Sequence, residues 1–255
     1  MTRRLAAGLA LLVMTGACAA RGPLRPAGAG RDDPSAISAL EAVTAHCRPL
    51  RTATTDLRLS GRAGNERVRA RLQAGFAEPA SVRLEALAPF GGPALVLASD
   101  GATTTVLFPR EKQVVRDAPV AAVLDALTGL ALDAADLRRM IFGCLPTPGG
   151  RGAAYGDDWQ VVAAGATRVF LRRGVLVAAD DRGWQIDYAL PQGGIARQVR
   201  VRRTTAAGVI DLTAVLGDVA TNVDLDPRAF AVDVPADATA MSLDDLRRAS
   251  PLAPR

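Results

Sequence analysis

The sequence predicts an α+β protein: an antiparallel, curved sheet of about 10–11 strands followed by short helices, which reads as a cup with a lid. Three observations carry this. Apolar and polar residues alternate through run after run of β-type sequence. The stretch from Arg83 to Pro146 sets three such runs before two short amphipathic helices. Alanine and glycine are interspersed among leucines on the apolar faces, which leaves space inside a curved sheet. That space is either filled by the helices or kept for a ligand, and periodicity does not choose between an ordinary plugged core and a lidded cup.

Composition bounds the functions. At 255 residues the chain buries a real core, and with aromatics at 4% that core is aliphatic. The formal charge of +5 falls to +3 once Arg3 and Arg4 leave with a signal segment. Arginines alternate with acids and apolar residues without aromatic interleaving, so no nucleic-acid partner is expected, while attraction to anionic lipid headgroups stays open. His46 is the single histidine. A histidine-based metal cluster or a Ser/His/Asp set is therefore hard to assemble, and His46 reads as a surface or helix-end residue. No cofactor, metal or catalytic residue is expected: glycine pairs have no phosphate-loop spacing, no Gly-x-Ser-x-Gly elbow occurs, and aspartate pairs sit at turns or helix starts.

Taken in order, residues 1–17 hold two arginines and an uncharged run from Leu5 to Ala17, too short to span a bilayer, and read as a signal segment. Gly16 and Ala17 before Cys18 resemble the lipobox of bacterial lipoproteins, with Thr15 in place of the usual leucine. The resemblance implies that Cys18 becomes the first residue and carries acyl chains, a membrane anchor that is effectively permanent. Ala19 stands where an aspartate would retain the protein in the inner membrane, which implies the outer membrane, facing the periplasm. Residues 18–32 form a Pro/Gly-rich flexible tether. A helix is expected from Asp33, with Pro34 at its first position and Ile37, Leu40, Val43 and Cys47 on one face, ending before Pro49. With Cys18 given to lipid, Cys47 and Cys144 remain in an oxidising compartment, where an even count favours a disulfide over two buried thiols.

The sheet begins near Asp56. Leu57, Leu59, Gly61 and Ala63 share one face; after the Gly64-Asn65 turn, Val68, Ala70, Leu72, Ala74 and Phe76 face one way and Arg67, Arg69, Arg71 and Gln73 the other. Glu78-Pro79 breaks the run before the next strand. In Ala88-Pro89-Phe90-Gly91-Gly92, proline fixes one backbone angle and glycines relax the next, so Phe90 rides at the tip of a tight turn or folds back onto the core. Further on, Val120, Val123, Leu124 and Leu127 share a helix face with Gly129 just past its end, and Asp133 caps a second helix with Leu137, Met140 and Ile141 inward.

The segment RLEALAPFGGPALVLASDGATTTVLFP, followed by DALTGLALDAADLRRMIFGCLP, resembles the LolB family of lipoprotein receptors in the LolA/LolB lipoprotein-carrier superfamily. The matching positions are Pro89, Phe90 and Gly91 in the loop, then Leu127, Gly129, Leu130, Leu132, Leu137 and Arg138 in the helices. A fainter likeness runs through Trp184–Pro191. The resemblance implies a strongly curved antiparallel sheet rolled into an incomplete β-barrel, a half-barrel over residues 33–241, with a short helical lid over a hydrophobic cavity that takes acyl chains of other lipoproteins, and a membrane-insertion loop at Pro89, Phe90 and Gly91. On this reading the cavity and lid fall to Leu59, Val68, Leu72, Phe76, Leu84 and Val96 from strands, Val123, Leu124, Leu127, Leu137, Met140 and Ile141 from helices, and Trp184 beyond.

Residues 147–158 read as a flexible connector, followed by six short strands through Val219, and AFAVDVP resembles the superfamily's last strand. Trp159, Phe170, Trp184 and Tyr188 are the rings available to an interior. Arg197, Arg200, Arg202 and Arg203 read as a solvated outer stripe. Residues 242–255 form a short capped helix and tail. The expected function is a monomeric, non-enzymatic outer-membrane lipoprotein that accepts lipidated proteins, with a soluble periplasmic carrier as a possible donor. A carrier of another lipid or glycolipid and an envelope interaction or sensing protein stay open beside it.

Overall fold

The computed structural model describes residues 25–88, 92–129, 131–205 and 208–249. Cys18, Pro89, Phe90, Gly91 and Leu130 lie outside them. Two antiparallel meanders share one sheet. The first comprises β2 (Thr52–Ala63), β3 (Glu66–Ala77), β4 (Ser81–Leu87), β5 (Pro93–Ser99), β6 (Thr104–Phe108) and β7 (Gln113–Ala118). The second comprises β8 (Arg151–Tyr155), β9 (Trp159–Ala164), β10 (Thr167–Arg172), β11 (Val175–Asp181), β12 (Trp184–Gln192), β13 (Ile195–Thr205) and β14 (Gly208–Thr221). Pairing of β14 with β2 joins the two meanders, and short strands β1 (Arg31–Asp32) and β15 (Thr239–Ala240) add to the outer edges at β8 and β7. The result is one curved sheet of 15 strands in which β1 and β15 are the unjoined ends. No helix among the described residues is long and apolar enough to cross a membrane.

The strand count exceeds the 10–11 expected. β1 and β15 are two-residue additions at the edges, and β8 arises from the stretch read as a connector. Gly152 makes β8 possible: a side chain there would meet the Asp33 carbonyl oxygen at 2.2 Å, so the N-terminal segment can pack directly on the strand. AFAVDVP is not a strand. Asp226 caps a 3-10 turn over Pro227–Phe230, and Arg83 donates to the Ala229 and Ala231 carbonyls, which holds this segment across β4 and β5 instead of in the ladder.

Among the described residues there are four α-helices: α1 (Ser35–Val43), packed on β8 and β9; α2 (Val120–Thr128) and α3 (Ala134–Phe142), which cover the hollow; and α4 (Leu243–Ala249), packed on α2. α1 starts two residues later than expected, because the Asp33 carboxylate accepts from the Ser35 amide. It buries Ala36 and Leu40, leaves Ile37 exposed, and ends before a separate 3-10 turn that carries Cys47. α2 ends at Gly129 in the left-handed region (φ 71°), its N–H donating to the Asp125 carbonyl. The Asp133 carboxylate caps α3 through the Asp136 amide, 2.6 Å away. Ser242 and Asp245 make a reciprocal cap for α4.

The tether is pinned over its last residues. Arg25 pairs with Asp180 and Asp187 at 2.9 Å each, and Arg31–Asp32 adds to β8. The buried Asp187 on β12 and the partly buried Asp180 on β11 hold this arginine, and local composition carries no sign of that contact.

Candidate functional site

The site is built by strand alternation. In β2 and β3, Leu57 faces Leu72 and Leu59 faces Ala70; in β13 and β14, Val199 faces Ala214 and Val201 faces Leu212. These side chains turn to the concave face, the one covered by α2 and α3. From above, Leu124 on α2, Leu132 between the helices, and Leu137, Met140 and Ile141 on α3 come down onto them. Together they enclose a cavity of about 150 Å³. Its wall has one hydroxyl, that of Thr128, and this donates to the Leu124 carbonyl at 2.7 Å. Among the described residues no charged residue lines it. An apolar hollow of about this size stays dry and accepts small hydrocarbon guests.

Of the residues expected to line the cavity, Leu59, Leu72, Leu84, Leu124, Leu137, Met140 and Ile141 do so. Val68, Phe76, Val123 and Trp184 are buried in the surrounding core, and Leu127 is partly buried against it. Phe76 stacks edge-on against Phe142 with ring centroids 5.7 Å apart. Val96 is on the opposite face. It pairs with Glu85, while its neighbour Leu97 pairs with the cavity residue Leu84. Its burial comes from the segment around Ala229–Asp233. β5 is apolar on both sides, so alternation in the sequence did not say which side faced in. The contribution of β13 and β14 depends on the long-range pairing of β14 with β2, which local pattern does not carry; the alternation of Val199 and Val201 with arginines is the available signal.

The lid helix α3 is held unevenly. At its C-terminal end, Cys47 Sγ lies 2.07 Å from Cys144 Sγ, His46 Nε2 is 2.9 Å from the Phe142 carbonyl oxygen, and the buried Tyr188 hydroxyl donates to the Met140 carbonyl at 3.0 Å. Burial pushes the Tyr188 phenol up, so it stays a neutral donor. Its N-terminal half packs Ala134 and Leu137 against the core and, among the described residues, adds the ion pairs Arg182 to Asp136 at 2.7 Å and Arg138 to Glu78 at 3.2 Å, with no covalent link. Burial alone would raise the Glu78 pKa, but hydrogen bonds from Arg51 and Arg138 hold it below the usual carboxylate value. A second hollow of about 240 Å³ lies on the other side of α3, lined by Phe142, Gly143, Leu176, Tyr188 and Ala196. Tyr188 and the end of α3 separate the two.

The four rings divide between the faces. Trp184 and Tyr188 are in the main core, whereas Phe170 and Trp159 belong to a small cluster on the outer face. Phe170 lies under Arg25 and Arg168, at 5.7 and 5.5 Å. The arginine stripe is likewise engaged. Arg200 chelates Asp211, Arg202 pairs with Asp187 at 3.0 Å, and Arg203 covers the Trp184 ring at 5.1 Å. His46, Cys47 and Cys144 have ligand atoms within 4.8 Å of one another, but both sulfurs are at bonding distance from each other, which leaves no thiolate pair for a metal.

No protein-family model matches this chain, and no curated protein does. Among solved structures, a LolA superfamily protein from Nitrosomonas europaea is similar at 11% identity and a TM-score of 0.48, over 77% of this chain and 97% of that one. A putative outer membrane lipoprotein-sorting protein domain from Vibrio parahaemolyticus is similar at 12% identity and a TM-score of 0.45, over 77% and 97%. The Mycobacterium tuberculosis lipoprotein LppX is similar at 9% identity and a TM-score of 0.33, over 76% and 100%. No residue role is carried over from any of them.

Proposed function

We propose that this protein is a lipid-anchored envelope protein that shelters acyl chains of lipidated proteins between the concave face and α2–α3, and delivers them to the outer membrane without catalysis. The observation that supports this most directly is the cavity wall: among the described residues it is aliphatic apart from the Thr128 hydroxyl, which is turned back onto the helix backbone. Each methylene moved from water into such a wall contributes about 0.8 kcal/mol, so a tail needs no polar recognition to bind. The closed hollow of about 150 Å³ takes only part of a chain, and binding a whole one requires the lid to rise. Its uneven fastening suits that motion, because α3 can pivot on the Cys144 end while the rim pairs at Asp136 and Arg138 open. Cys18 carries the anchor, and Phe90, in the segment between β4 and β5, enters the headgroup boundary during delivery.

The test is transfer. Phe90→Glu is expected to leave folding and uptake of a lipidated protein unchanged while stopping its movement into vesicles; unchanged transfer contradicts the insertion role. The cavity's small volume favours a second reading, an envelope interaction protein whose hollow is vestigial. A fluorescent fatty acid that fails to bind at any concentration below its aggregation limit decides for that reading.

A further inference from the structure

The outer face of β2 and β3 carries charge that the fold itself does not use. Arg58 stands directly opposite Arg71, Arg62 directly opposite Arg67, and Arg69 faces Ser60. All five arginines are exposed. Like charges in directly opposed positions destabilise a sheet. Elsewhere on this face arginine meets aspartate: Arg168 with Asp180, Arg202 with Asp187, Arg200 with Asp211. Among the described residues no carboxylate forms an ion pair with Arg58, Arg62, Arg67, Arg69 or Arg71, and Arg62 reaches only the Asn65 carbonyl, at 3.3 Å. Asp211, the acid opposite Arg62, is already chelated by Arg200.

The edge of β3 is also open at this end, while β2 stays paired with β14 as far as Ala63. β4 pairs with β3 only between Leu72 and Ala77, so residues 66–71 extend past it. Two of the few large apolar side chains left in water stand at the same end: Leu87, where β4 stops, is 42% exposed, and Val209, whose carbonyl accepts from the Gly64 amide at the hairpin turn, is 53% exposed. Guanidinium groups suit phosphate oxygens, which they bind in bidentate fashion, and apolar residues beside a cationic patch fit the headgroup and acyl boundary.

We infer that this end of the sheet is a docking face for an anionic phospholipid surface, with Arg58, Arg62, Arg67, Arg69 and Arg71 on lipid phosphates and Leu87 and Val209 at the acyl boundary. A membrane fits better than an acidic protein because the patch combines unpaired arginines with exposed aliphatic side chains at its margin. The anchor supplies proximity, and here the inference rests on the function proposed above. Arg25 is fastened to the same outer face seven residues after Cys18, and an extended chain spans at most about 3.6 Å per residue, so an anchored Cys18 keeps the Arg25 part of this face, four strands from β3, within about 25 Å of the bilayer.

The experiment is vesicle flotation of the chain from residue 19, which keeps every described residue and has no lipid to mask the effect. The wild type is expected to float with vesicles containing phosphatidylglycerol at least tenfold more than with pure phosphatidylcholine vesicles, and to be released by raising salt from about 0.05 to 0.5 M. Arg67→Ala/Arg69→Ala/Arg71→Ala is expected to lose that preference while still taking up a fluorescent fatty acid. Equal flotation on both vesicle types, a salt-insensitive wild type, a triple variant that floats like the wild type, or capture of an acidic protein without any vesicle preference each overturns the inference. Fatty-acid uptake separates the two readings. A wild type that floats on anionic vesicles but takes up no fatty acid fails the acyl-chain function and keeps the docking face, and the salt series on the wild type decides the matter even where the triple variant misfolds.

Discussion

The two faces of the same strands obey different physics. On β13, Val199 and Val201 enter the cavity wall while Arg200 and Arg202, one position along, meet Asp211 and Asp187 on the outside. The inner face is held by burial, at roughly 25 cal/mol for each Å² of apolar surface removed from water, and any aliphatic residue of suitable size serves. The outer face is held by particular pairs. Moving along it from β10 to β14 the arginines are matched; on β2 and β3 they are not. Unused charge beside a matched network points to a partner, whereas unused volume beside a filled core points to a ligand. The same chain carries both, on opposite sides of one sheet.

Breaking the inner face should have the largest effect. Leu212→Asp places a carboxylate among aliphatic residues with no cation in the wall, and is expected to cost about 3–5 kcal/mol in denaturant unfolding. A mild effect there would mean that the cavity is wet. Next comes the fastening of the lid. Cys47 and Cys144 are 97 residues apart, and Cys47→Ser/Cys144→Ser is expected to lose on the order of 4 kcal/mol by freeing the unfolded chain. The double variant should also bind a fatty acid faster, since α3 loses its pivot; an unchanged on-rate would remove the pivot from the mechanism.

On the outer face the effects are smaller. Asp187→Ala strips a shared partner from the half-buried Arg25 and Arg202, with an expected loss of about 1–3 kcal/mol. Limited proteolysis should then cut near residue 25, and resistance there would show that the N-terminal segment is held by something other than this pair. Smallest is the response to acid. Hydrogen bonds from Arg200 hold the Asp211 carboxyl below its ordinary value, and those from Arg51 and Arg138 do the same for Glu78 against the opposing effect of burial. A depressed folded pKa contributes stability that is complete above the ordinary carboxylate pKa of about 4 and is lost as pH falls through the folded value. Melting temperature should therefore be flat near neutrality and fall below about pH 4, and Glu78→Gln should flatten part of that fall.

Much of the architecture was legible in local pattern. Alternation in Leu57–Ala63 and Val68–Phe76 marked both the strands and their inward faces, and Gly129, Asp133 and Ser242 marked helix ends through backbone geometry and capping, which are local requirements. The site was legible in part. Leu59, Leu72 and Leu84 could be placed because their strands are wet on one side, and Val96 was misplaced because its strand is apolar on both.

By itself the sequence determined an antiparallel curved sheet, an aliphatic interior, two amphipathic helices after the first meander, and two cysteines free to pair. Those properties depend on neighbours within a few residues or on counting. Only the tertiary structure decided that β14 closes onto β2 and completes the cavity wall, that Arg25 crosses the chain to reach Asp187, and that some arginines find aspartates while those of β2 and β3 do not. Each of these is a contact between residues far apart in sequence, fixed by register and by which face a strand presents, and alternation within one strand carries no record of its partner.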